Sequence, residues 1–277
     1  MIQAQLEAYA PWVFVPARLE STRLPRKPLL DLEGAPLIAR VVEAVTRAVP
    51  APRVVVVSDA QEVLEASMLA EPRPGHALLI TEPCASGSER VALAYHALCD
   101  RGVIVDVTES AWLINVQGDE PLLPAESLTR LIGSLAWFEA RGVSIVTLAA
   151  PLMSDAQHDV QHEMARLRAD RGCVKACLRA PEDSTRPELR EALYFTRSPT
   201  GEHLHIGVYA IHQSALSLVR EPRGPLSRLE DLEQLAWMER GARVGVVCLD
   251  APHPPGVDTP ADLARTRAFY QRALEMS

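Results

Sequence analysis

Short runs of β-branched and other apolar residues alternate along this chain with longer stretches of helical period. That alternation limits the fold more than any single residue does. Residues 12–15 lead into a loop rich in Pro and Arg, residues 36–49 set Leu37, Val41 and Val45 near one helical face, and residues 53–57 are an almost unbroken apolar run. The rhythm continues as helical at 60–69, extended at 78–81, helical at 88–100, extended at 111–116 and helical at 124–141. Strands alternating with helices predict an α/β fold with a parallel sheet covered on both faces. Ligands in such folds bind beyond the carboxyl ends of the strands, so chemistry is expected in the loops that follow those runs.

Ser58-x-x-Gln61, Ser86-x-x-Glu89 and Thr259-x-x-Asp262 each fit a capping box, the last with Pro260 at the first helical position. The second half is less regular. Extended candidates at 173–178, 192–196 and 204–211 read as a smaller lobe, approximately 151–211, inserted into a single domain of 1–277. A helix over 225–240, a strand over 243–249 and a closing helix from Pro260 return to the first pattern.

The chain has 277 residues, 48% of them hydrophobic, enough for a packed core in one large or two modest domains and too apolar for global disorder. Its net charge of −8, with no Lys/Arg block, argues against nucleic acid or an anionic membrane as partner. The start lacks a signal-peptide pattern and no run is long enough to span a bilayer, so a cytoplasmic location is expected. Five cysteines suggest no disulfide framework in such a setting.

Against that acidity, residues 16–28 hold four basic residues and one acid, a local +3. The loop contains Arg18, Ser21, Arg23 and Lys27, and Lys27 is one of only two lysines in the chain, the other being Lys175. Hydroxyls and backbone amides after a strand can cradle phosphate, Arg can grip two oxygens, and a Lys ammonium can neutralise a further one. The alternative is a solvated basic turn.

Asn115-Val116-Gln117-Gly118-Asp119-Glu120-Pro121 follows an apolar strand and sets two carboxylates beside a Gly turn. Gly256-Val257-Asp258 offers another carboxylate before a helix. Mg²⁺ takes one or two protein carboxylates plus substrate phosphates and water, so Asp119 and Asp258 could share one if the fold joins them. Ordinary turn and cap roles are the alternative. A non-enzymatic reading, a zinc-binding or structural module, rests on His158-x-x-x-His162 and Cys173-x-x-x-Cys177, where a strand would point Cys173, Lys175 and Cys177 to one face.

PARLESTRLPRKPL (16–29), SGSER (86–90), NVQGDEP (115–121), VK (174–175), LYFTR (193–197), HIGVY (205–209), LEDLEQL (229–235) and GVDTPADL (256–263) together resemble the CMP-Kdo synthetases. These are the cytidylyltransferases that activate 3-deoxy-manno-octulosonate (Kdo). The resemblance implies a Rossmann-like nucleotidyltransferase fold, with a mostly parallel mixed sheet, helices on both faces and an inserted lobe. It implies a homodimer that converts CTP and a sugar acid into a CMP-sugar and pyrophosphate with Mg²⁺, for lipopolysaccharide biosynthesis. By the same resemblance, Ala17, Arg18, Ser21, Arg23, Lys27, Ser86 and Gln117 would hold the nucleotide, and Asp119 and Asp258 the metal. Gln117, Arg197, His205, Tyr209, Glu233 and Gln234 would line the acceptor side. Lys27, Arg18, Asp119 and Asp258 would carry catalysis, chiefly by positioning and by neutralising phosphate charge.

The chain departs from the family where Thr81-Glu82-Pro83-Cys84-Ala85 precedes SGSER in place of a His-bearing stretch, and where only 198–204 separate LYFTR from HIGVY. A shortened acceptor segment implies a smaller or more open pocket. The second acceptor class to consider is therefore another small acid, a different nonulosonate or a phosphonate such as phosphonoformate.

Overall fold

The computed structural model describes residues 11–104, 112–152 and 158–275, with 158–160 and 272–275 through their backbone alone. The chain divides into two compact units, residues 1–128 with 256–277, and residues 129–255. The segment 151–211 falls within the second.

In the first unit four parallel strands run in the order β5 (His76–Leu79), β4 (Val54–Ser58), β1 (Trp12–Ala17), β6 (Trp112–Val116). Every residue of β1, β4 and β6 is buried, as expected for strands covered on both faces. Helix α1 (Leu37–Thr46) packs on β1 and β4, α2 (Gln61–Ser67) on β4 and β5, and α3 (Gly87–Asp100) on β1, β4 and β6. The chain steps outward from β1 to β4 to β5, then returns through α3 to β6 on the other side of β1. With right-handed crossovers, that reversal sets α3 on the face opposite α1 and α2. A two-residue turn at Glu33 and Gly34, both with positive φ, joins the short strands β2 (Asp31–Leu32) and β3 (Ala35–Pro36).

The second unit follows α4 (Ala125–Glu139), within which the division between units falls. Its strands are β7 (Ile145–Pro151), β8 (Lys175–Leu178), β9 (Leu189–Thr196), β10 (His203–His212) and β11 (Val244–Cys248), with α5 (His158–Ala169) between β7 and β8. Their order is β10, β7, β11, β9, β8; only β7 and β11 are parallel, and β8 also meets the start of β10. The α/β class and the mixed sheet are as expected.

Three details correct the sequence reading. Ser58 is the last residue of β4 and turns back to accept the Ala60 N–H at 3.2 Å, while the Gln61 side chain reaches Glu65, so this pair forms no capping box. The helix expected over 225–240 is two helices, α6 (Pro225–Glu230) and α7 (Glu233–Met238), because Asp231 adopts a left-handed conformation at φ 53°. Cys173 precedes β8, packing with Leu152, Met164, Leu167 and Leu204, so it does not share a strand face with Cys177. The chain closes with α8 (Pro260–Glu275) in the first unit.

Candidate functional site

β1 and β6 are neighbouring parallel strands, and the chain leaves β1 towards β4 and β5 on one side and comes back to β6 on the other. That is the switch point at which an open parallel sheet leaves a crevice. Gly118 lets the two loops approach: a Cβ there would lie 3.0 Å from the Pro16 carbonyl oxygen and 3.1 Å from Ala17 Cβ. The loop after β1 is pinned by Leu24, which packs with Leu32, Leu37, Val257 and Leu263. It ends in a 3-10 turn over Lys27–Leu29 with Pro28 in its first turn, entered through Arg26 at φ 53°.

That turn aims Lys27 at both acids. Its Nζ donates to Asp119 Oδ2 at 2.7 Å and to Asp258 Oδ1 at 2.9 Å, joining residues 92 and 231 positions away in sequence. Arg23 pairs with the other Asp258 oxygen at 2.8 Å. The Val257 N–H donates to the Asp119 carbonyl at 2.8 Å, so the main chains carrying the acids are tied together as well. Asp258 is steadied by the capping box that follows it. Asp262 Oδ2 accepts from the N–H groups of Asp258 (3.3 Å) and Thr259 (2.8 Å), and Asp262 N–H donates to Thr259 Oγ1 at 3.2 Å.

Burial works against the charge on Lys27, but Asp119 and Asp258 outweigh it and hold the ammonium above its ordinary pKa. Burial pushes the Asp119 carboxyl up, against the pull of Lys27 and with the added push of Asp258. The two carboxylates therefore already share one cation, the Lys27 ammonium. Among the described residues no group of three or more His, Cys, Asp or Glu gathers to hold a metal. A two-carboxylate donor set fits Mg²⁺, which takes its remaining ligands from phosphate and water, and does not fit an all-protein cage.

The other predicted nucleotide residues lie in the same unit. Ala17 is buried at the end of β1, Arg18 is exposed, and Ser21 and Gln117 are half-buried. Ser86 caps α3, its Oγ accepting the Glu89 N–H at 3.1 Å, while Glu89 accepts the Ala85 N–H at 2.6 Å.

The predicted acceptor residues other than Gln117 lie in the second unit. His205 stands between the rings of Phe195 and Tyr209, each 5.3 Å away, and its Nε2 meets Thr147 Oγ1 at 2.9 Å. Burial pulls its pKa down to about 3, so the imidazole is neutral near pH 7. Tyr209 also packs edge-on against Trp237. Gln234 is 2% exposed and its buried Oε1 has no hydrogen-bond partner among the described residues, while the adjacent Glu233 opens α7. The Arg197 guanidinium donates to main-chain carbonyls of Glu230 (2.9 Å), Gly172 (3.1 Å) and Arg171 (3.2 Å). Glu230 answers by accepting from Thr196 Oγ1 and the Arg197 N–H. Thr147 gave no sequence signal; Glu230 lay unremarked inside LEDLEQL.

Lys175 has a structural explanation. It is 0% exposed, burial draws its ammonium below the usual lysine range, and Nζ donates to the carbonyls of Asp170 (2.6 Å), Cys173 (2.8 Å) and Arg197 (3.1 Å). Among the described residues the zinc pattern is not assembled: Cys173 belongs to an apolar cluster, and the His158 side chain lies outside them.

A family model described as Cytidylyltransferase matches residues 12–244. The 3-deoxy-manno-octulosonate cytidylyltransferase of Bradyrhizobium sp. (strain ORS 278) is 37% identical over 268 residues, covering 94% of this chain and 97% of its own. That of Anaeromyxobacter dehalogenans (strain 2CP-C) is 36% identical over 269 residues, covering 93% and 96%. Among solved structures, a CMP:2-keto-3-deoxy-manno-octonic acid synthetase complexed with CTP matches at a TM-score of 0.72 and 27% identity, over 94% of this chain and 98% of that one. A cytidylyltransferase from Leptospira borgpetersenii, at 13% identity and a TM-score of 0.56 over 94% of this chain and 86% of that one, shares the fold alone.

Proposed function

This chain belongs to the cytidylyltransferase family, and from that premise we propose that it transfers CMP from CTP to the hydroxyl of Kdo, releasing pyrophosphate. The observation that carries the reading is the meeting of Lys27, Asp119 and Asp258 at the switch point. It supports phosphoryl-type chemistry because it sets two carboxylates beside basic groups able to receive a triphosphate.

We assign the nucleotide to the first unit. Arg18, Arg23 and Lys27 would bind the triphosphate, with Ala17, Ser21, Ser86 and Gln117 placing the rest of CTP. Asp119 and Asp258 would hold Mg²⁺, which when bound supplies Lewis-acid neutralisation of phosphate charge. The acceptor oxygen forms a bond to the α-phosphorus, the bond from that phosphorus to the pyrophosphate oxygen breaks, and the hydroxyl proton passes to solvent. As negative charge grows on the departing pyrophosphate, Lys27 and the arginines of the loop stabilise it electrostatically. No covalent nucleophile is needed.

On the acceptor side we assign Gln117, Arg197, His205, Tyr209, Glu233 and Gln234. The unpartnered Gln234 carbonyl supports this, since a buried polar atom of that kind favours a ligand that supplies its donor. A neutral His205 would recognise by hydrogen bonding and shape, not by charge. The resemblance further supports a homodimer acting in the cytoplasm; no helix among the described residues is long and apolar enough to cross a membrane.

The short connection from β9 to β10 favours one further reading, a smaller acid acceptor such as a phosphonate. Pyrophosphate release with each nucleoside triphosphate, against Kdo, related sugar acids and small phosphonates, decides between them. Turnover with CTP and Kdo supports the proposal; turnover only with a phosphonate replaces the acceptor, and none with CTP removes the reading.

A further inference from the structure

Asp59, one residue beyond β4, joins the loop after β1 to a buried arginine. Its Oδ1 accepts the Leu19 N–H at 3.0 Å, and its Oδ2 accepts from Arg90 Nη2 at 3.2 Å. Arg90, on α3, is only 6% exposed, and its other arm donates from Nη1 to the Ile80 carbonyl at 2.7 Å. A planar guanidinium held at both ends has little freedom, so it fixes the carboxylate, and the carboxylate fixes Leu19. Leu19 lies between Arg18 and Ser21, within the stretch assigned above to the triphosphate.

We infer that Asp59 is a positioning residue for the triphosphate loop, with Arg90 as its support. The inference rests on the proposed nucleotide role of that loop. The arrangement meets two needs at once. A loop whose main chain is already held spends less conformational entropy when it closes on a ligand. An acid placed under a phosphate-binding loop would repel the phosphate, and the Arg90 charge cancels that repulsion. The Leu19 N–H, already committed to Asp59, is in turn not one of the amides that meet phosphate. SGSER, which carries Arg90, therefore acts on the nucleotide through the loop as well as through the cap at Ser86.

Asp59→Ala removes both contacts. Asp59→Asn keeps an oxygen for the Leu19 N–H but turns an amide towards Arg90, which separates the two roles. Calorimetric titration with CTP and excess Mg²⁺, together with melting temperatures and steady-state kinetics, reads them out. Asp59→Ala should weaken CTP binding and raise the KM for CTP about tenfold, leaving the KM for the acceptor within about twofold. Asp59→Asn should melt about as low as Asp59→Ala yet bind CTP within about threefold of the parent chain. CTP affinity unchanged in Asp59→Ala, or falling in step with melting temperature across both variants, overturns the inference. Should Asp59→Ala fail to fold, a tenfold loss in Asp59→Asn does the same. Failure of the parent chain itself to bind CTP removes the reading of the loop, and this inference with it.

Discussion

Asp119 and Asp258, 139 positions apart, place carboxylate oxygens 2.7 and 2.9 Å from one and the same nitrogen, Lys27 Nζ. Two acids brought that close in a half-buried setting repel each other, and a cation between them offsets the repulsion. If that cation position is used by Mg²⁺ during turnover, each acid is needed. Asp119→Asn and Asp258→Asn should each slow pyrophosphate release by about 100-fold or more. The double variant should be little worse than either single one, because the pair acts as a unit. Steady-state rates of the three variants check this; additive losses would separate the acids.

Gly118 is the point at which the loop bearing Asp119 passes the end of β1. In Gly118→Ala the new Cβ must move the Pro16 carbonyl or Asp119 by a few tenths of an ångström. The expected cost is about 1 kcal/mol of stability and roughly tenfold in kcat. Urea unfolding beside kinetics measures both, and a loss confined to stability would place the strain away from the site.

His205 makes stability depend on acid. Its folded pKa, about 3, lies below the ordinary histidine value, so below pH 6.5 the unfolded chain binds a proton that the folded chain refuses. Stability is thus fully present above about pH 6.5 and falls as the pH drops towards 3. Thr147, Phe195 and Tyr209 around the ring are uncharged, but the residue keeps some solvent contact, which trims the effect. Between pH 6.5 and 5 this group should cost roughly 1 kcal/mol. His205→Gln should flatten that part of the profile; an unchanged slope assigns it to other groups, such as His203, whose pKa is also lowered by burial.

Lys175 is a structural clamp by the same reasoning. Lys175→Met would leave the carbonyls of Asp170, Cys173 and Arg197 without their donor, at a cost of about 2–3 kcal/mol. Lys175→Arg should not rescue it, because the side chain is fully enclosed and a Cβ at Gly201 would already collide with Lys175. Equilibrium unfolding tests both. Wild-type stability in Lys175→Met would mean that water replaces the ammonium.

What could be read in advance was whatever depends on neighbours in sequence. Strand runs such as 54–58 announce themselves because both faces are buried, and Thr259 with Asp262 form a local cap whose partners sit three residues apart. The break at Asp231 was hidden, since an apolar helical pattern continues across a residue that turns left-handed to close the Arg197 and Glu230 network. Ser58 misled because a hydroxyl at a strand end can bond two residues on without starting a helix. Spacing showed each of Asp119, Asp258 and Lys27 separately, whereas their meeting depends on strand order, and the link from Asp59 to Leu19 depends on β4 lying beside β1. No local pattern encodes a contact across 40 residues.

Phosphorus NMR of the purified chain with CTP, Mg²⁺ and Kdo observes the bond that is made. The reading predicts that CTP signals give way to a CMP phosphodiester and pyrophosphate in equal amounts, only when Kdo is present. CTP that persists unchanged with Kdo, or is cleaved to free CMP without a sugar phosphodiester, would contradict it.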